Sequence, residues 1–264
     1  MIYKTDYHVH TNYSDGRGWP EDYISRAHEE GLSELGFSDH LTLTDEQQDW
    51  SIRPALLGEY IDRVLKLKES VNGIKVKVGL EVDWFPGKEE DIYRAISSLP
   101  LDYVIGSVHF MGEGSVDLGP DYYENKDIDR LFASYFKLIA EAAGSGLFDF
   151  MAHPDLVRIF RYHPSVNAEQ MYRFMAGEMK KYGVAFEINT NGMNKPLNDF
   201  YPDRRYLHVF LEEGVPVCVN SDAHSPARLG QYFNDAYRLI AGIGFTEMVT
   251  FDRRIRSYKP LSLP

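Results

Sequence analysis

The sequence contains one cysteine, Cys218, so no disulfide bond can form within the chain. The run Pro216–Asn220 around it is typical of a buried strand, where a thiol packs as a small apolar group. A reducing cytoplasm is the expected compartment. No run of about 18 apolar residues occurs, and no apolar segment follows the first lysine. These absences predict a soluble protein without a membrane span or a signal peptide.

Positive charge is also scarce, with 28 lysines and arginines against 40 aspartates and glutamates and a formal net charge of −12. Such a chain repels a long polyanion, so a broad nucleic-acid surface is not expected. A phosphate group could bind only at a locally positive site. Hydrophobic residues make up 44% and aromatic residues 14% of the chain, which is enough apolar material for a core.

The 264 residues contain no linker or short repeat, which favours a single domain over residues 1–264. A strand followed by a helix recurs along the chain, and this alternation predicts parallel strands with crossover helices. The seven predicted strands are Lys4–His10, Glu34–Ser38, Lys75–Val82, Tyr103–Val108, Phe148–Ala152, Ala185–Asn189 and Pro216–Asn220. The expected architecture is an α/β barrel.

Helices are predicted where apolar residues recur at helical spacing, in the segments Pro54–Ser70, Asp127–Ala143, Arg204–Glu213 and Gln231–Ile240. Two further helices have end signals, one between Pro20 and Gly31 and one between Asn167 and Gly183. The stretch Met111–Asn125 is rich in Gly, Asp and Tyr, and it is predicted to form a loop over the barrel mouth.

Histidines and carboxylates fall at the ends of the predicted strands. They are His8, His10, His40, Glu81, His109, His153, Asp222 and His224. The carboxyl ends of parallel barrel strands open onto one face, so these side chains are expected to converge. Six of the nine histidines occupy such positions, whereas His28, His163 and His208 lie outside the pattern.

This convergence predicts a metal centre. Burying so many imidazoles and carboxylates without a cation would be costly. His8 and His10 are two residues apart on one strand, so they project to the same face, and Asp222 and His224 have the same spacing. Mixed imidazole and carboxylate ligands favour zinc, manganese or iron, and the lack of cysteine ligands argues against a structural zinc site.

The charge of such a centre suits phosphate chemistry. Three dications facing the carboxylates of Glu81, Asp222 and Asp15 would leave about +3 at the site. Paired ions can activate water, polarise phosphoryl oxygens and clamp an in-line displacement. Hydrolysis of a phosphate ester is therefore the expected reaction.

The ordered motifs resemble the polymerase and histidinol phosphatase (PHP) superfamily, and most closely its histidinol-phosphate phosphatase branch. The matching segments are His8-Val9-His10-Thr11, Tyr13-Ser14-Asp15-Gly16, Ser38-Asp39-His40, Gly79-Leu80-Glu81, Gly106-Ser107-Val108-His109, Ala152-His153-Pro154-Asp155-Leu156 and Asn220-Ser221-Asp222-Ala223-His224. They cover roughly Asp6 to Gly230. The resemblance implies a distorted seven-stranded (β/α)7 TIM-like barrel with a trinuclear metal centre.

The resemblance also implies which residues share each ion. By position, His8, His10, Glu81 and Asp222 would hold one ion, and Glu81 would bridge to a second ion bound by His109 and His153. Asp15, His40 and His224 would hold the third. Hydroxide shared between ions would be the nucleophile. If the third ion is weakly held, His224 or His40 could pass a proton to the leaving alkoxide, since a displaced imidazole near a carboxylate can carry a proton.

Substrate contacts follow from two loops. Arg158, five residues after His153, lies where the phosphatase branch places a basic phosphate ligand, and its guanidinium could clamp phosphate oxygens. Asn194 stands where members often carry arginine. The loss of that charge disfavours histidinol phosphate unless Lys195 or Arg17 compensates for it. Tyr122, Tyr123 and Phe160 are candidates for an organic pocket.

The leading hypothesis is hydrolysis of L-histidinol phosphate to L-histidinol and phosphate in histidine biosynthesis, with a small phosphate ester as the only expected partner. The alternative is a PHP phosphoesterase that acts on another small phosphate or on a nucleotide end. A non-catalytic metal-binding domain is disfavoured because all nine ligand positions are filled. The oligomeric state stays open.

Overall fold

The computed structural model describes residues 3–44, 48–166 and 168–261. Its strands are β1 (Lys4–Asp6), β2 (Leu32–Phe37), β3 (His40–Leu41), β4 (Lys75–Asp83), β5 (Tyr103–Ser107), β6 (Phe110–Met111), β7 (Gly114–Ser115), β8 (Phe150–Met151), β9 (Ala185–Asn189), β10 (Val217–Asn220), β11 (Glu247–Asp252) and β12 (Ile255–Pro260). Its α-helices are α1 (Asp22–Glu29), α2 (Leu57–Ser70), α3 (Glu89–Ile96), α4 (Ile128–Gly144), α5 (Ala168–Tyr182), α6 (Leu207–Glu213) and α7 (Phe233–Ile243).

Seven parallel strands form a nearly closed barrel in the order β1, β2, β4, β5, β8, β9 and β10, and β3 pairs with β4 beyond the end of β2. The first and last strands of this order, β1 and β10, are joined by hydrogen bonds between the residues that follow them. The amide of His10 donates to the carbonyl of Ala223 at 2.9 Å, and the amide of Ala223 donates to the carbonyl of His8 at 3.1 Å. The predicted seven-stranded barrel is confirmed.

The strand β1 ends earlier than predicted because side chains replace the sheet partners of the following residues. The amide of Tyr7 donates to Oδ1 of Asn220 at 2.8 Å, and the amide of Val9 donates to Oγ of Ser38 at 3.1 Å. These bonds keep the backbone satisfied outside the regular ladder. The segment that carries the first two histidines is thereby held without being part of a strand.

The helices cover the outside of the barrel. Helices α2, α4, α6 and α7 overlap the predicted segments, and the predicted first residue of α5, Asn167, lies outside the described residues. In α4, the buried side chains Phe132, Tyr135, Phe136 and Ile139 recur at helical spacing. None of the helices in the described part of the chain has the length and apolarity needed to cross a membrane.

A hairpin of β11 and β12, which the sequence analysis did not predict, closes the end of the barrel where the strands begin. The ring of Phe251 lies 5.8 Å from that of Tyr7 and 5.5 Å from that of Phe150. The turn residues Arg253 and Arg254 have φ of 48° and 64°. Such turns normally carry glycine or asparagine, so the arginines hid the turn signal.

The predicted mouth loop contains more structure than expected. The short hairpin of β6 and β7 overlaps its first residues, and Pro120–Tyr123 forms a 3-10 helix. The hydroxyl of the buried Tyr123 donates to the carbonyls of Val116 and Val157 at 2.8 and 2.9 Å. The segment is therefore anchored near its end, at Tyr123, to the chain that follows β8.

Candidate metal centre

The barrel strands bring all nine predicted ligands to one end of the molecule. These residues form four groups in which one ligand atom from each member lies within 4.8 Å of the others: His10, Asp15, His40 and His224; His8, Glu81 and His153; His8, His10 and Asp222; and His40, Glu81 and His109. Asp15 lies in the loop before α1, and the other eight lie at or just beyond the ends of barrel strands, with Glu81 two residues before the end of β4. We refer to these nine residues as the metal cluster.

Glu81 lies at the centre of the metal cluster and presents one oxygen to each side. Its Oε2 lies 3.0 Å from Nε2 of His8 and 2.9 Å from Nδ1 of His40. Its Oε1 lies 3.1 Å from Nε2 of His153 and 3.8 Å from Nε2 of His109. This is the arrangement of a carboxylate that can bridge two cations.

Asp222 and Asp15 complete the other side of the cluster. Oδ1 of Asp222 lies 3.3 Å from Nε2 of His10 and 3.4 Å from Nδ1 of His224. Oδ2 of Asp15 lies 3.2 Å from Nε2 of His224. The two carboxylates thus face the same pair of imidazoles from opposite sides.

The loop that carries Asp15 is held by a buried carboxylate. Asp39 accepts hydrogen bonds from the amide and hydroxyl of Thr11 at 2.7 and 2.8 Å, and from the hydroxyl of Ser14 at 2.6 Å. Gly16 packs directly against the backbone of His10. A Cβ at position 16 would lie 2.3 Å from the carbonyl oxygen of His10, so only glycine fits there. Asp15 is therefore fixed beside the first strand.

The orientation of the ligand atoms fits cations better than hydrogen bonds. Nε2 of His8, Nδ1 of His40, Oε2 of Glu81 and both ring nitrogens of His10 are buried and have no hydrogen-bond partner among the described residues. Several of these atoms nevertheless lie 2.9 to 3.5 Å apart. Buried polar atoms are rarely left unpaired. Their lone pairs converge on shared points, as the ligands of one ion do.

Backbone strain also concentrates in the cluster. His153 has φ of 23° and Asp222 has φ of 49°, both in the left-handed region that side chains with a Cβ disfavour. Residues held in this region cost free energy and occur preferentially at functional sites. Two ligands from different strands share this feature.

The carboxylates and imidazoles of the cluster shift one another's pKa. Burial by itself would raise the pKa of Glu81, but the imidazoles of His8 and His40 outweigh it and hold that pKa well below its ordinary value. Burial and the positively charged neighbours His40 and His224 lower the pKa of His10 to about 3. Glu81 is therefore ionised and His10 neutral, which are the forms that bind metal. Facing carboxylates outweigh burial and raise the pKa of His8, His40, His109 and His224, so metal binding would displace protons from these four imidazoles.

A buried glutamate that the sequence analysis missed orients two of the ligands. Glu187 lies 3.0 Å from Nδ1 of His8 and accepts hydrogen bonds from the amide of His153 at 2.9 Å and from the side chains of Asn189 and Asn220. It turns Nε2 of His8 toward Glu81. Its signal in the sequence is a carboxylate between the apolar residues Phe186 and Ile188 of the buried strand β9.

Replacing Glu187 with glutamine is expected to weaken zinc binding by about 10- to 100-fold, because groups that orient metal ligands typically contribute this much. The matched control is Glu34→Gln, which alters another buried glutamate, one that accepts hydrogen bonds from Tyr3 and Tyr7. Competition with a chromophoric chelator measures both affinities. Equal affinities for the Glu187 variant and the parent would contradict this role.

A cavity of about 260 Å³ opens above the metal cluster. Apart from the ligands, its apolar lining residues are Trp50, Phe110, Leu118, Leu156 and Ile159, and its polar lining residues include Asp117, Lys195 and Tyr201. The rings of Trp50 and Phe110 lie 6.1 Å apart at an interplanar angle of 20°. The cavity therefore joins a charged floor to a flat apolar wall.

The substrate residues proposed from the sequence divide into two groups. Lys195 lines the cavity, whereas Arg17 and Asn194 are not among the described residues that line it. Asn194 instead accepts a hydrogen bond from Arg228 and donates one to Gln231 at 2.8 Å. A guanidinium thus lies beside Asn194 at the surface.

Arg158 does not face the cavity, in contrast to the expected phosphate contact. Its side chain is 2% exposed, and Nε lies 2.6 Å from Asp155 while Nη1 lies 3.2 Å from Asp203. Nη2 donates to the carbonyl of Phe200 at 2.8 Å. The physical reason is that two buried carboxylates require a counter-charge, and this guanidinium supplies it.

The aromatic residues expected around the organic group also lie elsewhere. Tyr122, Tyr123 and Phe160 are not among the described residues that line the cavity. The hydroxyl of Tyr123 bonds to backbone carbonyls below the surface, which draws its ring into the core. Trp50, which the sequence analysis did not single out, forms the apolar wall instead. Its ring centroid lies 5.0 Å from that of His40, and the two rings pack edge to face.

Comparisons with known proteins agree with this geometry. Residues 6–191 match the model of the PHP domain. The chain is 34% identical over 256 residues to a probable histidinol-phosphatase of Deinococcus radiodurans, covering 94% of this chain and 96% of the relative. It is 27% identical over 259 residues to a histidinol-phosphatase of Lactococcus lactis, covering 94% of each. A crystal structure of histidinol phosphate phosphatase from Lactococcus lactis with zinc, L-histidinol and phosphate superposes with a TM-score of 0.82 at 26% identity, covering 97% of this chain and all of that one.

Proposed function

Since the chain belongs to the PHP domain family, we propose that it is a metal-dependent phosphatase that hydrolyses L-histidinol phosphate to L-histidinol and inorganic phosphate. The observation that carries this proposal is the metal cluster, whose unpartnered ligand atoms converge around Glu81 beneath a cavity. The relatives named above support the choice of substrate. The reaction belongs to histidine biosynthesis, and we propose that it takes place in the cytoplasm.

The donor set fits three divalent ions of zinc, manganese or iron. Oε1 of Glu81 would share one ion with His109 and His153, and Oε2 would share another with His8, His10 and Asp222. Asp15, His40 and His224 would hold the third. When bound, the ions would supply Lewis acidity toward water and toward the phosphoryl oxygens.

The chain itself supplies charge and proton transfer around that centre. Lys195 places an ammonium group at the cavity, where it can pair with phosphate oxygens. His224 is about one-third exposed, with a side-chain exposure of 33%, whereas the side chain of His40 is 9% exposed. When the third ion is not bound to it, His224 is therefore the better placed of the two to pass a proton to the leaving alkoxide.

The part of the cavity lining that lies outside the metal cluster suits a cationic aromatic alcohol. L-histidinol carries an ammonium group and an imidazole ring. The carboxylate of Asp117 is outside the metal cluster and can pair with the ammonium, while Trp50 and Phe110 offer a flat surface to the ring. Asp117 would repel the additional phosphates of a nucleotide, so this residue favours histidinol phosphate over a nucleotide end.

Replacing Asp117 with asparagine is expected to lower kcat/KM for L-histidinol phosphate by about 10- to 100-fold, because a hydrogen bond to a charged group is lost. The kcat/KM for p-nitrophenyl phosphate, which has no ammonium group, is expected to stay unchanged. Steady-state kinetics with both substrates measure this ratio. Equal losses of kcat/KM for the two substrates would show that Asp117 stabilises the site but does not bind the ammonium group of the substrate.

The proposed substrate is tested by steady-state phosphate release from the zinc- or manganese-loaded enzyme. L-Histidinol phosphate is compared with sugar phosphates, nucleotides and an aryl phosphate. We expect kcat/KM for histidinol phosphate to reach about 10⁴ M⁻¹s⁻¹ or more and to exceed the others. A higher value for another small phosphate would establish the alternative substrate, and no release from any monoester would overturn the proposed activity.

A further inference from the structure

Tyr201 lines the cavity and has a buried hydroxyl without a partner among the described residues. Its side chain is 2% exposed and lines the cavity. Its hydroxyl makes no hydrogen bond to any described residue. Other buried tyrosines near the barrel do bond, since the hydroxyl of Tyr23 donates to the carbonyl of His10 at 2.6 Å and that of Tyr60 to the carbonyl of Gly79 at 2.7 Å. A phenol without a partner is an unfilled donor position.

The backbone of Tyr201 is fixed to the end of a barrel strand. The amide of Asn189, the last residue of β9, donates to the carbonyl of Tyr201 at 2.8 Å, and the amide of Tyr201 donates back at 3.1 Å. The neighbouring carbonyl of Phe200 accepts from the guanidinium of Arg158 at 2.8 Å. Arg158 thus acts as a positioning residue for the segment that carries Tyr201.

The ring of Tyr201 has little freedom to turn away. Its centroid lies 6.2 Å from that of His153, with the rings edge to face at 72°. On the other side, a Cβ at Gly192 would lie 2.9 Å from Cε2 of Tyr201, so only glycine leaves room for the ring there. The hydroxyl is therefore held in place before any substrate enters, which is the condition for a preorganised donor.

The chemistry of the cavity indicates what this donor meets. At neutral pH a phenol carries its proton, whereas the non-bridging oxygens of a phosphate ester only accept hydrogen bonds. On the basis of the proposed function, we propose that the Tyr201 hydroxyl donates a hydrogen bond to a phosphoryl oxygen of the substrate. The ring that carries this hydroxyl packs against His153 of the metal cluster, which is why we place a substrate phosphoryl oxygen within its reach.

The test compares Tyr201→Phe with Tyr237→Phe. The matched control also loses a buried tyrosine hydroxyl without a partner in the described structure, but Tyr237 lies in α7 and is not among the described residues that line the cavity. Zinc content, Tm, affinity for inorganic phosphate by calorimetry, and kcat/KM are measured for both variants and the parent. Neither variant is expected to lose zinc or to have a lower Tm, because no bond is removed.

We expect Tyr201→Phe to weaken phosphate binding and to lower kcat/KM by about tenfold each, and Tyr237→Phe to match the parent. Parental phosphate affinity and kinetics in Tyr201→Phe would overturn the proposal. A fall in Tm or zinc content that accompanies the kinetic loss would also overturn it, because the hydroxyl would then be structural. If the parent hydrolyses no phosphate ester, the proposed function fails, and the calorimetry still decides whether Tyr201 binds phosphate.

Discussion

The double substitution His8→Ala with His10→Ala is expected to lower kcat/KM for phosphate release by about 10³-fold or more, because several kcal/mol of transition-state stabilisation come from the metal centre. His8 contacts Glu81 at 3.0 Å and His10 contacts Asp222 at 3.3 Å, so both imidazoles belong to the innermost part of the metal cluster. The barrel closure uses the backbone of these residues. The fold is therefore expected to survive.

Metal content by mass spectrometry and circular dichroism accompany this experiment. The matched control is His163→Ala with His208→Ala, which removes two histidines that belong to none of the ligand groups. That control is expected to keep parental metal content and activity. A His8 and His10 variant that is folded, low in metal and as fast as the parent would refute metal dependence.

Arg158→Ala is expected to lower the free energy of unfolding by about 3–5 kcal/mol, the usual cost of breaking a buried ion pair. The substitution leaves Asp155 without its counter-charge, and Asp203 keeps, among the described residues, only the guanidinium of Arg205. Both carboxylates are buried, at 0% and 1% exposed. The corresponding loss in Tm is on the order of 10 °C for a domain of this size. Thermal unfolding followed by circular dichroism measures it.

Arg173 offers a matched control, because its guanidinium also contacts three carboxylates, those of Glu169, Glu212 and Glu213. It lies at the surface, where water and salt screen the charges. Arg173→Ala is expected to leave Tm almost unchanged. If the two variants shifted Tm equally, burial would not explain the role of Arg158. If Arg158→Ala kept its Tm but lost phosphate affinity, the phosphate contact expected from the sequence would be correct.

The barrel could be predicted from the sequence because its signals are local. Each strand is a short apolar run, and the carboxyl ends of parallel strands must share one face. Eight residues of the metal cluster follow from this rule, since His109 and His153, for example, lie far apart in the chain yet follow strands that are neighbours in the barrel. Their convergence needs no knowledge of side-chain packing. Asp15, in the loop before α1, does not follow from this rule.

The remaining features depend on contacts between distant segments, which leave no local pattern. Whether Arg158 points at the cavity or at Asp155 and Asp203 is decided by the loop around Phe200, some forty residues later. In the sequence, Glu187 is an isolated charged residue in a strand. Only the structure shows that its carboxylate contacts His8. Tyr201 resembles any loop tyrosine until its missing partner is seen.

The central claim, that bound metal at this cluster hydrolyses histidinol phosphate, is tested most directly by removing and restoring the metal. The enzyme is stripped with a chelator, and zinc or manganese is added back in steps while bound metal and phosphate release from L-histidinol phosphate are measured on the same samples. We predict an inactive stripped enzyme whose activity returns in proportion to bound metal, up to about three ions per chain. Full activity without metal, or full metal content without activity toward any phosphate ester, would contradict the account.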